Sequence, residues 1–113
     1  MNLPSTRHAG PRFKLGRIFS TPAALEVIAG ARVSIIDLLI RHMRGDWGRL
    51  TDEDWQRNER VLETGDYPLS SYILSNGQKI RMHPTGERSV TVVLLPAEEF
   101  RLEPSLRDAL LGR

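Results

Sequence analysis

The spacing of apolar side chains predicts helices in the first half of the chain and strands in the second. A short strand is expected over residues 13–19, interrupted by Gly16. Three helical segments follow, over residues 23–28, 34–44 and 51–65. Thr21, Ser34 and Thr51 stand at their starts, where a hydroxyl can accept a hydrogen bond from a free amide of the first turn. The middle segment has apolar residues around more than one face, so it is predicted to be the principal core helix.

After Pro68 the period of the pattern becomes two, which is typical of strands. Asn76-Gly77 favours a two-residue type I′ hairpin, because both central residues need a positive φ. That loop predicts two sets of cross-strand pairs: Ile73 with Ile80 and Ser71 with Met82 on one face, and Tyr72 with Arg81 and Ser70 with His83 on the other. The second face is predicted to be exposed.

Residues 89–95 are apolar on both faces, which is typical of a strand inside a sheet. The 79–84 strand is expected on one side of it, and residues 13–19 or a partner chain on the other. The predicted fold class is therefore α+β, with two or three N-terminal helices packed on one face of a three- or four-stranded antiparallel sheet. The predicted core consists of Ile36, Leu39, Ile40, Leu62, Ile73, Ile80, Val93 and Leu95.

The length of 113 residues fits one domain. Residues 1–12 lack periodicity and are predicted to be a flexible tail, and residues 13–100 a single α+β domain. Residues 101–113 are expected to form a short C-terminal helix or tail. Its apolar residues would either dock on the domain or take part in self-association; they are Leu106, Ala109, Leu110 and Leu111.

The net charge of +2 is unevenly distributed: residues 1–50 hold eight basic and three acidic side chains, and residues 51–66 hold two and six. The acids of the second segment stand at a helix start, where negative charge interacts favourably with the helix dipole. We therefore interpret them as residues that stabilise this helix and not as a binding surface. The absence of cysteine excludes disulfides and thiolate zinc sites. No apolar run approaches the roughly 20 residues that span a bilayer. We therefore expect a soluble, cytoplasmic protein without a membrane partner.

No phosphate-binding loop, nucleophile elbow or metalloprotease motif is present, so the sequence supports no enzyme class. His42 and Asp46 are four residues apart, but a closed metal site needs more ligands, and neither a metal nor a cofactor is predicted. Trp47 lies between two glycines and can either wedge between two helices or stand outward as a contact. The candidate binding residues are Asp46, Trp47, Tyr72, Lys79, Arg81, His83 and Arg88.

Several segments together resemble a family of short, uncharacterised proteins encoded on plasmids, prophages and integrative elements. They include FKLG at residues 13–16, GDWG at residues 45–48, and the RSV-T-LLP strand over residues 88–96. The chain departs from the family pattern at Arg81, where an aromatic is usual, and at residues 85–88, where the family has an acidic Ala-Asp-Arg loop. The resemblance implies a role in a mobile element, without an assigned activity.

Two functional hypotheses follow from these observations. The first is a non-enzymatic accessory protein of a mobile genetic element that binds a host or element protein, in DNA maintenance or in countering a defence system. Its contact surface would be the GDWG segment and the sheet edge. The alternative is a toxin of the RelE/ParE kind, or a small nucleic-acid-binding module, that uses the basic face of the sheet. A homodimer could form through a sheet edge or the C-terminal helix.

Overall fold

The computed structural model describes residues 10–85 and 90–102, which form one α+β unit. The predicted tail before residue 10, the loop that contains Arg88, and the predicted C-terminal helix after residue 102 lie outside these ranges. The elements, in chain order, are β1 (Arg17–Ser20), α1 (Pro22–Gly30), α2 (Ile35–Met43), α3 (Asp52–Glu63), β2 (Ser70–Ile73), β3 (Lys79–Pro84), β4 (Val90–Leu94) and a 3-10 helix (Pro96–Leu102).

The three helices begin where their capping residues predict. Thr21, Ser34 and Thr51 each accept a hydrogen bond at 3.1 Å from an amide of the first turn. The first helix continues through Gly30 and is longer than predicted. The chain reverses after it through Arg32, which has a φ of 57°. Local capping chemistry therefore determines these starts, whereas the end of α1 depends on the turn that follows it.

The sheet has the order β1-β4-β3-β2. β4 lies inside the sheet, with β3 on one side and β1 on the other, as predicted. The prediction of a purely antiparallel sheet was wrong, because β1 pairs with β4 in parallel, from Arg17 opposite Val90 to Ser20 opposite Val93. Parallel neighbours need a long connection. All three helices and the β2–β3 hairpin lie between these two strands and provide it.

The β2–β3 hairpin has a three-residue loop, not the predicted two-residue loop. Leu74 N–H donates to the Gln78 carbonyl at 2.8 Å, and Gly77 N–H donates to the Leu74 carbonyl at 2.9 Å. Gly77 alone supplies the positive φ, at 83°, so Asn76 stays in an ordinary conformation. The observed pairs are Ser70 with Met82, Ser71 with Arg81, Tyr72 with Ile80 and Ile73 with Lys79.

This one-residue change of register exchanges the two faces of β2, because successive strand residues point to opposite sides. Tyr72 was predicted to be exposed and is instead buried in the core. Ile73 was predicted to be buried and is 42% exposed. The prediction that β2 presents Tyr72 beside the basic residues of β3 was therefore wrong.

The core lies between the helices and one face of the sheet. Ile80 and Val93 are buried in it as predicted, and Leu39 and Leu95 pack against it. Ile40 and Leu62 are half-buried. Ile36 was also predicted to be buried and is 58% exposed. The reason is that α2 buries a single stripe at helical spacing, formed by Ile35, Leu38, Leu39 and His42, and Ile36 lies off that stripe.

Candidate functional site

The GDWG turn, residues 45–48, joins α2 to the segment before α3. Gly45 and Gly48 both have a positive φ, of 87° and 74°. Trp47 between them is fully buried, and its ring meets the ring of Trp55 edge-on at 5.3 Å between centroids. The Arg12 guanidinium lies 5.4 Å from the centre of the Trp47 ring. Trp47 therefore wedges against α3 and does not stand outward as a contact residue.

The GDWG turn also pairs with the outer edge of β2. Ser71 N–H donates to the Trp47 carbonyl at 3.0 Å, and Arg49 N–H donates to the Ser71 carbonyl at 2.7 Å. A Cβ at Gly48 would stand 2.1 Å from that same Ser71 carbonyl oxygen. Only glycine allows the backbone to approach so closely. The turn thus occupies the edge of β2 at Ser71, where an unpaired strand would otherwise offer its backbone to another chain.

Asp46 is exposed on this turn but is already paired. Arg41 binds its carboxylate at 2.7 Å, and this ion pair holds the pKa of Asp46 below its usual value. The Arg41 guanidinium also lies 4.4 Å from the centre of the Tyr72 ring. Beneath it, the Tyr72 hydroxyl donates to the Asp46 carbonyl at 2.7 Å. Burial raises the pKa of Tyr72, so this hydroxyl keeps its proton.

A buried polar chain continues inward from Tyr72. The Tyr72 hydroxyl lies 3.1 Å from Ser70 Oγ, and Ser70 Oγ is hydrogen-bonded in turn to His42 Nδ1. The Tyr72 proton goes to the Asp46 carbonyl, which can only accept, so Ser70 can donate to Tyr72 and accept from His42. Burial lowers the pKa of His42 to about 4, which keeps the imidazole neutral. Phe13 covers the imidazole edge-on at 5.3 Å.

A serine hydrogen-bonded to a histidine is also the arrangement of a nucleophile and its base. Here His42 and Ser70 are both completely buried, so no substrate can reach either atom. His42 Nε2 finds no hydrogen-bond partner within the described residues. We therefore interpret the chain of His42, Ser70 and Tyr72 as a buried polar part of the core.

The predicted basic face of the sheet carries less free charge than the sequence indicates. Glu99, from the 3-10 helix, lies 3.3 Å from an Arg81 nitrogen and 3.7 Å from His83 Nε2. Lys79 is exposed and forms no ion pair with any other described residue. The structure therefore brings Lys79, Arg81 and His83 onto one strand, but it pairs Arg81 with Glu99 and places His83 near the same acid.

Two concave surfaces lie near this strand. A groove of about 370 Å³ lies between the hairpin loop and the start of the 3-10 helix; it is lined by Gly77, Gln78, Lys79, Leu95, Pro96 and Ala97. A pocket of about 200 Å³ lies where α3 approaches the end of β3; its lining residues are Arg57, Asn58, Val61, Tyr67, Leu69, His83 and Pro84. We name them the hairpin groove and the α3 pocket. They share no residue.

Sequence reasoning did not identify Asn58 and Tyr67, which line the α3 pocket, or Glu99, which lies beside His83. Asn58 is buried on the inner side of α3, where it binds the Leu69 amide and carbonyl at 3.0 and 2.7 Å. Its helical spacing was the available signal. Glu99 and Tyr67 gave no local signal, because their partners are distant in sequence.

The described residues contain no group of three side chains able to hold a metal ion. In the same part of the chain, no helix has the length and apolar character needed to cross a membrane. Comparisons with protein-family models, with curated proteins and with solved structures find no match.

Proposed function

We propose that this chain is a non-enzymatic accessory protein that binds a short segment of a partner protein in the hairpin groove. As its resemblance implies, the partner would be a host or element protein that serves the mobile element encoding the chain. The observation that carries the proposal is an exposed isoleucine directly opposite a lysine that lines a largely apolar groove and forms no ion pair within the described part of the chain. Ile73 and Lys79 are these two residues.

Ile73 and Lys79 are cross-strand partners, so their side chains stand on the same face of the sheet. Lys79 also lines the hairpin groove, together with the apolar residues Leu95, Pro96 and Ala97. Ile73 does not itself line the hairpin groove, but its cross-strand partner Lys79 does. Leu25 and Ile36 are exposed as well, but neither lines the groove nor pairs across the sheet with a residue that does. An exposed aliphatic residue becomes a contact site when a neighbouring concave surface can take up its partner.

The chemistry of this surface favours an acidic and apolar peptide. An apolar side chain of the partner would enter the groove, and a neighbouring carboxylate would pair with Lys79. Unlike Arg81 and His83, Lys79 has no acid of its own chain to displace within the described residues. Charge complementarity at the rim then selects the partner, while the apolar contact supplies most of the affinity.

The same observations weigh against the nucleic-acid alternative. A ribonuclease or a nucleic-acid-binding sheet needs cations that are free to meet phosphates. Glu99 pairs with Arg81, the arginine of this strand, at 3.3 Å. Tyr72, which was expected to add an aromatic contact, is buried. What remains exposed on β3 is better suited to a protein segment than to a nucleic-acid backbone.

Peptide display tests the proposal directly. Selection from a random peptide library should enrich sequences that place Asp or Glu beside a large apolar residue. Lys79→Glu should weaken a selected peptide about tenfold, and exchanging the peptide acid for lysine should restore binding to that variant. Ile73→Ser should also lose binding, whereas Ile36→Ser, which removes an exposed isoleucine away from the groove, should not. Equal loss in both serine variants would contradict the proposal.

A further inference from the structure

We propose that the α3 pocket is a binding site for the phosphate group of a small phosphomonoester. The site is distinct from the hairpin groove and does not depend on the function proposed for it. Three side chains that can donate hydrogen bonds to phosphate oxygens line the pocket: Arg57 from α3, Tyr67 from the segment before β2, and His83 from β3. They come from three separate parts of the chain, so only the fold brings them together.

The walls of the α3 pocket are held in place by contacts that need no ligand. Asn58 is buried and holds the backbone of Leu69 at both its amide and its carbonyl, which joins α3 to the start of β2. The Tyr67 ring packs on Phe13 at 5.8 Å between centroids. A preformed pocket of this kind loses little conformational entropy when a ligand enters.

Arg57 and Tyr67 retain free hydrogen-bond donors, and His83 offers a further one when its imidazole is protonated at both nitrogens. The Tyr67 hydroxyl makes no hydrogen bond to any other described residue. His83 Nδ1 lies 2.8 Å from the Pro84 carbonyl, which can only accept, so Nδ1 carries a proton and donates it. His83 can therefore donate to a phosphate oxygen only from Nε2, and only when the imidazole carries both protons. Arg57 uses one of its guanidinium nitrogens on Asp54, at 3.3 Å, which leaves its other donors available.

Two acids stand near these donors without lining the pocket. Asp54 contacts Arg57 in an exposed pair, and Glu99 lies 3.7 Å from His83 Nε2. Exposed ion pairs contribute little free energy and rearrange readily. A phosphate monoester carries up to two negative charges and three acceptor oxygens, so it can bind more of these donors at once than either carboxylate does.

The size of the pocket limits the ligand. Pockets that enclose drug-sized molecules usually measure roughly 300–1,000 Å³. The α3 pocket measures about 200 Å³ and suits a phosphate group with the first atoms of its ester. The rest of a larger ligand would lie outside it. We therefore commit to the phosphate of a small monoester and not to the repeated phosphates of a nucleic-acid backbone.

The inference is tested by titrating the protein with inorganic phosphate and with glycerol 3-phosphate. Binding is measured by calorimetry and by changes in NMR chemical shifts. Both should bind, and the largest shifts should be at Arg57, Tyr67 and His83, with none at Lys79. Arg57→Gln should weaken binding about tenfold, the scale of one charge-assisted hydrogen-bonding group. Tyr67→Phe, which keeps the ring on Phe13, should weaken it severalfold.

Arg60→Gln is the matched control, because Arg60 stands one turn along the exposed side of α3 and does not line the pocket. It should change binding less than twofold if the pocket itself recognises the phosphate. Equal weakening by Arg57→Gln and Arg60→Gln would show that phosphate meets only the general charge of the helix, which would overturn the inference. No binding of either ligand at millimolar concentration would also overturn it. Tighter binding of inorganic phosphate than of the ester would assign the pocket to the free ion.

Discussion

At the scale of single residues, His42 shows how much one buried polar group can influence the fold. It continues the apolar stripe of α2, packs edge-on against Phe13 and joins Ser70. Because burial lowers its pKa from 6.5 to about 4, the folded protein holds the neutral imidazole while the unfolded chain takes up a proton more readily. The stability that depends on neutral His42 is therefore complete above pH 6.5 and is lost as the pH falls toward 4.

We expect the free energy of unfolding to fall by about 2 kcal/mol between pH 7 and pH 5, out of a total near 3 kcal/mol for the full shift. Asp46 and Glu59, whose pKa values are also lowered, remain ionised over this window and contribute little to the slope. Urea unfolding at several pH values measures it. His42→Gln should be less stable, and its free energy of unfolding should change little over this pH range. A slope that survives His42→Gln would contradict the assignment.

At the scale of elements, the β2–β3 hairpin decides which side chains enter the core. Its three-residue loop places Tyr72 opposite Ile80 and turns Ile73 toward solvent. The Tyr72 ring then packs in the core beside the helices. Its hydroxyl donates a hydrogen bond to the Asp46 carbonyl in the GDWG turn. A loop one residue shorter would exchange these positions. The register thus determines both the core and the hairpin groove.

Two alanine substitutions distinguish the registers. Tyr72→Ala should cost about 3–5 kcal/mol, because it empties a fully buried aromatic site and leaves Ser70 without one partner. Ile73→Ala should cost less than about 1 kcal/mol, since its side chain is largely exposed. Urea unfolding of both variants measures the difference. A larger cost for Ile73→Ala than for Tyr72→Ala would favour the two-residue loop instead.

At the scale of the whole molecule, the GDWG turn links the helices to the sheet and covers one of its edges. Gly48 makes this possible, because its backbone lies against the Ser71 carbonyl where no Cβ can fit. The turn also carries Trp47 into the core beside Trp55. One short segment therefore contributes to packing and protects a strand edge from pairing with another chain.

Gly48→Ala should lower the free energy of unfolding by more than about 2 kcal/mol. The alanine would have to adopt the left-handed backbone conformation, and its Cβ would displace the two backbone hydrogen bonds between the turn and Ser71. The exposed β2 edge should also promote association, which light scattering on a size-exclusion column would detect. Gly30→Ala is the control, since a Cβ there meets no atom within 4 Å. It should leave stability unchanged or raise it slightly. Equal stability of the two variants would show that the turn tolerates a side chain.

Features that depend on a few neighbouring residues could be predicted from the amino-acid sequence. Thr21, Ser34 and Thr51 begin their helices through hydrogen bonds that reach only two or three positions along the chain. β4 lies inside the sheet because it is apolar on both faces, and Lys79 was recognised as an exposed candidate contact. Such features can be predicted because the interactions that stabilise them are local and do not depend on contacts with distant residues.

The tertiary structure alone decided the features that depend on contacts between distant residues. The parallel pairing of β1 with β4, the pairing of Glu99 with Arg81, and the joining of Tyr67 to the α3 pocket all connect segments far apart in sequence. The hairpin register belongs with them. Asn76-Gly77 permits either loop, and burial of Tyr72 with Ile80 accompanies the longer one. A local preference of this kind is small beside the free energy of burying an aromatic side chain, so packing settles the choice.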